Sequence, residues 1–151
     1  SKKIYGSRVT GMEIQDSNGK KLTFGDNSSS ETDFSTPDVI STSTGVYAAT
    51  FDGSSSPKFI RVNRLDEQLN NVWDPSGIAL NAVFDMRGVI LTETTNGVGC
   101  FWSESRGFNY DIYYQEIDVD GNLTLESEGV ELVDSNGDDI AAYFSSMCIG
   151  L

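Results

Sequence analysis

The chain has 151 residues, with 23 Asp plus Glu against 10 Lys plus Arg, a formal charge of −13, and no histidine at all. That length suffices for one domain with its own core, and the acidic balance argues against nucleic acid and anionic membrane surfaces, whose affinity comes from clustered cations. The missing histidine removes the commonest general base, the Ser-His and Cys-His pairs and most zinc sites, so no catalytic residue is assigned and a non-enzymatic protein is expected.

Taken in chain order, the sequence shows period-2 or short β-rich runs and no helical stripe. The runs fall at residues 4–9, 12–15 and 21–24, then at 46–51 and 59–65. Residues 26–37 are polar and Ser/Thr-rich and read as a long surface loop. Further strands are expected at 89–92, 98–102, 111–117 and 147–149. Asn18-Gly19, Asp52-Gly53, Asp120-Gly121 and Asn136-Gly137 punctuate them, because Asn-Gly and Asp-Gly suit the positive φ angles of tight hairpin turns. The expected fold is all-β. No apolar run approaches the roughly 18–20 residues that span a bilayer, so membrane insertion is not expected.

A shift of 52 residues lays one part of the chain on another without a gap. Gly45-Val46 falls on Gly97-Val98, Ile60 on Ile112, Leu65-Asp66 on Ile117-Asp118, and Asn70 on Asn122. Trp73 falls on Leu125, and Gly77-Ile78-Ala79-Leu80 on Gly129-Val130-Glu131-Leu132. The chain therefore reads as a single all-β domain, residues 1–151, with repeats at about 45–96 and 97–148 and a degenerate copy split between the two ends. The architecture this implies is a set of antiparallel, blade-like sheets, propeller-like or sandwich-like.

Two cysteines, Cys100 and Cys148, are too few for a disulfide framework. They read as buried thiols acting as small apolar side chains, with one bridge between them left open.

The second copy carries a recognisable motif. Trp102-Ser103-Glu104-Ser105-Arg106 is followed by Asn109-Tyr110-Asp111-Ile112-Tyr113 and by Asp120-Gly121-Asn122. It resembles the propeller-like β-repeats, about 50 residues long, of large secreted bacterial surface proteins, over roughly residues 36–133. That resemblance implies blade-like architecture and export to the extracellular space or cell surface, and it implies no catalytic residues. Residues 11–24 resemble a strand–turn–strand near the start of small phage virion proteins, which also points to an assembly subunit.

Three candidate sites follow. Aromatic residues concentrate around Trp102, Tyr110 and Tyr113, a pattern that stacks sugar rings when exposed and builds a core when not. Trp102 shares a strand face with Val98 and Cys100, which favours the core for that residue. Asp118, Asp120 and Asn122 alternate as oxygen ligands suited to calcium. Leu123 and Gly129 stand where a calcium loop of the EF-hand type needs glycine and glutamate, so a hairpin turn competes with the metal. The third is assembly. Residues 4–9 resemble the strand at 112–117, and residues 146–149 the strand that precedes it, so head-to-tail strand completion is expected through Ile4, Tyr5, Val9, Met147 and Ile149. Charge fits such a contact: residues 1–64 hold eight cations and seven acids, residues 65–151 two cations and sixteen acids. The expected partners are copies of the chain or another structural protein, in a cell-surface or virion assembly. The alternative is a monomeric carbohydrate-binding module.

Overall fold

A computed structural model describes residues 4–7, 9–10, 13–14, 18–22, 34–52, 59–81, 85–106 and 110–133. The described residues form strands, turns and bends and no helix.

The first four strands are short: β1 (Ile4–Gly6), β2 (Val9–Thr10), β3 (Glu13–Ile14) and β4 (Lys20–Leu22). β2 pairs with β3, and β1 with β4, in two antiparallel ladders. The single strand expected over residues 4–9 is thus two strands, broken after Gly6, where Gly6-Ser7 offers no β-branched or aromatic side chain to hold the pleat. Ile4, Tyr5 and Val9 make their backbone ladders within this N-terminal hairpin, to Leu22, Lys21 and Ile14. Met147 and Ile149, the other half of the expected contact, lie outside the described residues.

Two four-stranded antiparallel meanders follow. The first contains β5 (Phe34–Thr42), β6 (Gly45–Asp52), β7 (Phe59–Leu65) and β8 (Ile78–Asn81). The second contains β9 (Asp85–Thr94), β10 (Gly97–Ser105), β11 (Asp111–Asp118) and β12 (Val130–Val133). In each, the strands neighbour one another in chain order and the sheet stays open. β6 and β10, β7 and β11, and β8 and β12 each start 52 residues apart. The two isolated bridges that close the loops after β7 and β11, Leu65 with Asn71 and Ile117 with Leu123, keep the same spacing.

The loop expected over residues 26–37 is corrected at its end, because Phe34 to Pro37 belong to β5. The pairing of β5 with β6 shifts register between Ser35 and Asp38. A proline donates no ladder bond, and Pro37 sits where one is not needed, at a bulge on an edge strand. Residues 26–33 lie outside the described residues.

The two sheets pack face to face. Paired residues share a face, so Tyr47 and Arg64, Ala49 and Val62, and Ile60 and Leu80 point the same way from sheet one. Tyr47, Ala49, Ile60, Val62 and Leu80 are buried in one cluster with Val89, Leu91, Val98, Cys100, Trp102, Tyr113 and Ile117 of sheet two. Each large apolar side chain buried this way contributes about 1.5–3 kcal/mol. Trp73 and Arg64 close one end of the interface. Trp73 Nε1–H donates at 3.0 Å, and Arg64 Nη1–H at 3.3 Å, to the same carbonyl, that of Val119 in the turn after β11 of sheet two. Cys100 is a free thiol within this core, its pKa driven up chiefly by burial. It acts there as a small apolar side chain. Cys148 lies outside the described residues.

Candidate functional site: the outer face of the second sheet

The alternation along β10 and β11 divides their aromatic residues between two faces. Trp102 pairs with Tyr113, and both are buried against sheet one, at 1% and 2% exposure. Neither offers a ring face to a sugar, so the expected platform of Trp102, Tyr110 and Tyr113 is not formed. Tyr110 is half-buried. Trp102 instead belongs to a buried polar cluster. Its Nε1–H donates to Glu104 Oε2 at 3.0 Å, and Arg106 Nη2–H reaches the same oxygen at 3.0 Å. The Arg106 guanidinium lies 3.8 Å over the Tyr113 ring and donates to the Glu128 carbonyl at 2.6 Å. Tyr113 Oη–H donates to Glu131 Oε2 at 3.1 Å. Burial, with help from that bond and against the pull of Arg106, pushes the phenol up to about 12. The Trp102-Ser103-Glu104-Ser105-Arg106 segment is therefore a staple inside the sheet: the guanidinium neutralises a carboxylate that is fully buried.

The calcium candidate resolves into a turn. Asp118 Oδ1 accepts the backbone N–H of Asp120 at 3.0 Å and of Asn122 at 2.8 Å, and Asn122 Nδ2–H reaches Oδ2 at 3.0 Å. Asp66 does the same one unit earlier, with Gln68 N–H, Asn70 N–H and Asn70 Nδ2–H, each at 2.8 Å. These bonds hold both carboxyls below the usual carboxylate range, led in each case by the side-chain amide. Both carboxylate oxygens of Asp118 thus accept from backbone or amide donors that fold the turn. Among the described residues no group of three or more His, Cys, Asp or Glu is placed to hold a metal.

What the second sheet leaves open is its outer face. Phe101 and Tyr114 are cross-strand partners there, with ring centroids 4.6 Å apart. Tyr114 lies down over Gly99: a Cβ at that glycine would come within 2.6 Å of the phenol oxygen. Its Oη–H donates to Glu116 Oε1 at 2.7 Å, and burial followed by this bond drives its pKa up. Beside them Leu125, Val130 and Leu132 are 38%, 40% and 50% exposed. An open groove of about 780 Å³ runs along the end of this face, between Glu93, Asn96, Tyr114, Glu116, Asp118 and Thr124.

This face has a counterpart. The residues 52 positions before Tyr114, Glu116, Leu125, Val130 and Leu132 are Val62, Arg64, Trp73, Ile78 and Leu80. Val62 and Leu80 are buried, Trp73 and Ile78 pack on the same core, and Arg64 bonds to sheet two. Thus the positions that sheet one buries against sheet two are half-buried or exposed on sheet two. Phe101 and Tyr114 belong to the aromatic concentration that the sequence shows, though not to the expected trio of Trp102, Tyr110 and Tyr113, and the three exposed aliphatics were not singled out. Their signal was present, since Ile112 and Tyr114 alternate away from Tyr113, but alternation alone does not say which face is covered.

Comparison of the chain with protein-family models, with curated proteins and with solved structures returns no match.

Proposed function

We propose that the chain is a non-enzymatic structural or interaction subunit that assembles through its β-sheets, with a third sheet covering the outer face of sheet two. One observation carries this reading: a face whose counterpart is an interface stands open, with Leu125, Val130 and Leu132 exposed. Grouped apolar exposure rimmed by polar residues marks interaction surfaces. Further support comes from the open ends of the meander, since β9 and β12 are edge strands able to pair with another strand. The resemblance of residues 101–122 to repeats of secreted surface proteins supports an assembly at a cell surface or outside the cell, and that of residues 11–24 to small phage virion proteins supports a virion.

The test is mass in solution across a concentration series. A defined oligomer that dissociates in Leu132→Glu or Val130→Glu supports the reading. A chain that remains a monomer at high micromolar concentration, with the variants indistinguishable from it, overturns it.

A second reading, a monomeric carbohydrate-binding module, draws on the Phe101–Tyr114 pair beside the carboxylates of the groove. Glycan-array binding lost in Tyr114→Ala, by a protein that is monomeric, would favour it.

A further inference from the structure

Two turns of this chain are built alike, and one of them holds an ammonium group. In the turn after β7, Asp66 N–H donates to the Asn70 carbonyl and Leu69 N–H to the Asp66 carbonyl, each at 2.9 Å. In the turn after β11, Asp118 N–H donates to the Asn122 carbonyl and Gly121 N–H to the Asp118 carbonyl, each at 3.0 Å. Leu69 and Gly121, 52 residues apart, both take a positive φ, 60° and 91°. Bond for bond, the second turn repeats the first.

Lys20, from β4, reaches the first turn. Its Nζ donates to the Gln68 carbonyl at 2.8 Å and to Asn70 Oδ1. Asn70 can accept there because its own Nδ2–H is turned to Asp66 Oδ2, which leaves Oδ1 for an outside donor. The counterparts of these two acceptors are the Asp120 carbonyl and Asn122 Oδ1. Asn122 Nδ2–H is likewise turned to Asp118, and both Asp120 and Asn122 are exposed. Among the described residues, no donor reaches either acceptor.

The surroundings of this second pair of acceptors favour a cation. Asp120 carries a carboxylate where the first turn has the neutral Gln68. Glu93 and Glu116 line the groove beside it. Every lysine of the chain falls between residues 2 and 58, so the acidic half has none of its own to place there. Acidity alone would not choose among cations. Lys20 on the twin turn does, because it shows which group this arrangement of oxygens accepts.

We propose that the Asp118–Asn122 turn is a socket for a lysine side chain of a partner chain, its ammonium held by the Asp120 carbonyl and Asn122 Oδ1 as Lys20 is held by Gln68 and Asn70. This rests on the reading above, that the chain assembles, and it gives the chemistry of the partner: a surface that presents lysine at the turn end of sheet two. Charge complementarity of this kind sets partner choice and encounter rate.

An amide-shift titration by NMR tests the socket. The protein is isotope-labelled Leu132→Glu, the variant that the assembly reading expects to be monomeric. The probe is Nα-acetyl-lysine N-methylamide, and its Nε-acetylated form, which carries no charge, is the control. The expected result is saturable shifts at the amides of residues 120–122 with the lysine probe and none with the control. Adding Lys20→Met should open the first turn, so that the same probe also shifts the amides of residues 68–70. No saturable shift at residues 120–122, or equal shifts with both probes, overturns the proposal. The two readings fail separately. A wild type that is itself monomeric, with the shifts present, sinks assembly and leaves the socket. An oligomeric wild type whose monomeric variant ignores the probe sinks the socket alone.

Discussion

Asn63 and Gln115, 52 residues apart and both fully buried, make the same bond. Asn63 Nδ2–H donates to the Asp74 carbonyl at 2.9 Å, and Gln115 Nε2–H to the Glu126 carbonyl at 2.6 Å. Each amide thereby ties the third strand of its sheet to the long loop leading into the fourth. The two differ at their oxygens. Gln115 Oε1 accepts from Glu116 N–H at 2.9 Å and Leu125 N–H at 3.1 Å, whereas Asn63 Oδ1 is buried without a partner.

That difference predicts unequal sensitivity. Gln115→Met strands a carbonyl and two backbone N–H groups, and should cost about 2–4 kcal/mol; Asn63→Leu strands one carbonyl while removing an unpartnered oxygen, and should cost about 0–2 kcal/mol. Urea unfolding of the two variants checks this. Equal losses would show that the loops are held by something other than these amides.

Arg106→Ala should destabilise by about 3 kcal/mol, because it leaves the buried carboxylate of Glu104 short of its neutralising charge. Trp102→Ala should cost about 3–5 kcal/mol, as large-to-small core changes do. Arg106→Lys should fail to restore stability, since one ammonium cannot serve Glu104, the Glu128 carbonyl and the Tyr113 ring together. Thermal unfolding of the three variants decides. A full rescue by lysine would reduce the staple to simple charge.

The parts of this fold legible in the sequence have steric causes. Gly77 and Gly129 both sit at φ 74°, and a Cβ on either would come within 3 Å of the carbonyl oxygen of the third strand, Val62 or Tyr114. Only glycine fits that approach, so the 52-residue spacing shows in the glycines. Asp66 and Asp118 show for a similar reason, as each folds its turn by accepting the same pair of backbone amides. The burial of one face over another was legible only in part: the face that Trp102 shares with Val98 and Cys100 was expected in the core and is buried, but the sheet that covers it was not foreseen. β10 and β11 carry aromatics on both sides, Trp102 and Tyr113 on one, Phe101 and Tyr114 on the other. What selects the buried side is sheet one, a tertiary contact with no local signature. The break after Gly6 and the strand at Pro37 escaped for the same kind of reason, since pairing partners rather than local propensity fix both.

The turn carboxylates predict an acid-side dependence. Asp66 and Asp118 have folded pKa values below their ordinary 3.8. The folded state therefore binds fewer protons, and protonation favours unfolding. Their contribution is fully present above the unfolded value and is lost as pH falls through the lower, folded one. The double variant Asp66→Asn, Asp118→Asn should be less stable than wild type at pH 7 and should lose less on acidification to pH 3. Denaturant midpoints at the two pH values measure it. Parallel curves for wild type and variant would mean that the turns do not titrate with folding. The same variants serve for calcium: with these oxygens already committed, added calcium should not move the wild-type midpoint, and a rise abolished by Asp118→Asn would reverse that assignment.

The fastening of the two sheets at Val119 predicts non-additivity. Trp73 and Arg64 donate to one carbonyl, and Arg64 also donates to the Thr44 carbonyl at 2.6 Å. Trp73→Phe removes one donor while keeping most of the ring packing against Tyr47, whose centroid is 5.6 Å away. Arg64→Met removes the other donor and keeps the length of the side chain. After either change alone, Val119 keeps a partner. After both, a half-buried carbonyl has neither, and the desolvation cost of about 1–3 kcal/mol appears only then. The double variant should therefore lose about 1 kcal/mol or more beyond the summed single losses, a coupling that residues without a shared partner do not show. A double-mutant cycle on equilibrium unfolding measures that excess directly. Simple additivity would mean that water satisfies Val119 as well as the two side chains do, and that the sheets are held by their apolar faces alone.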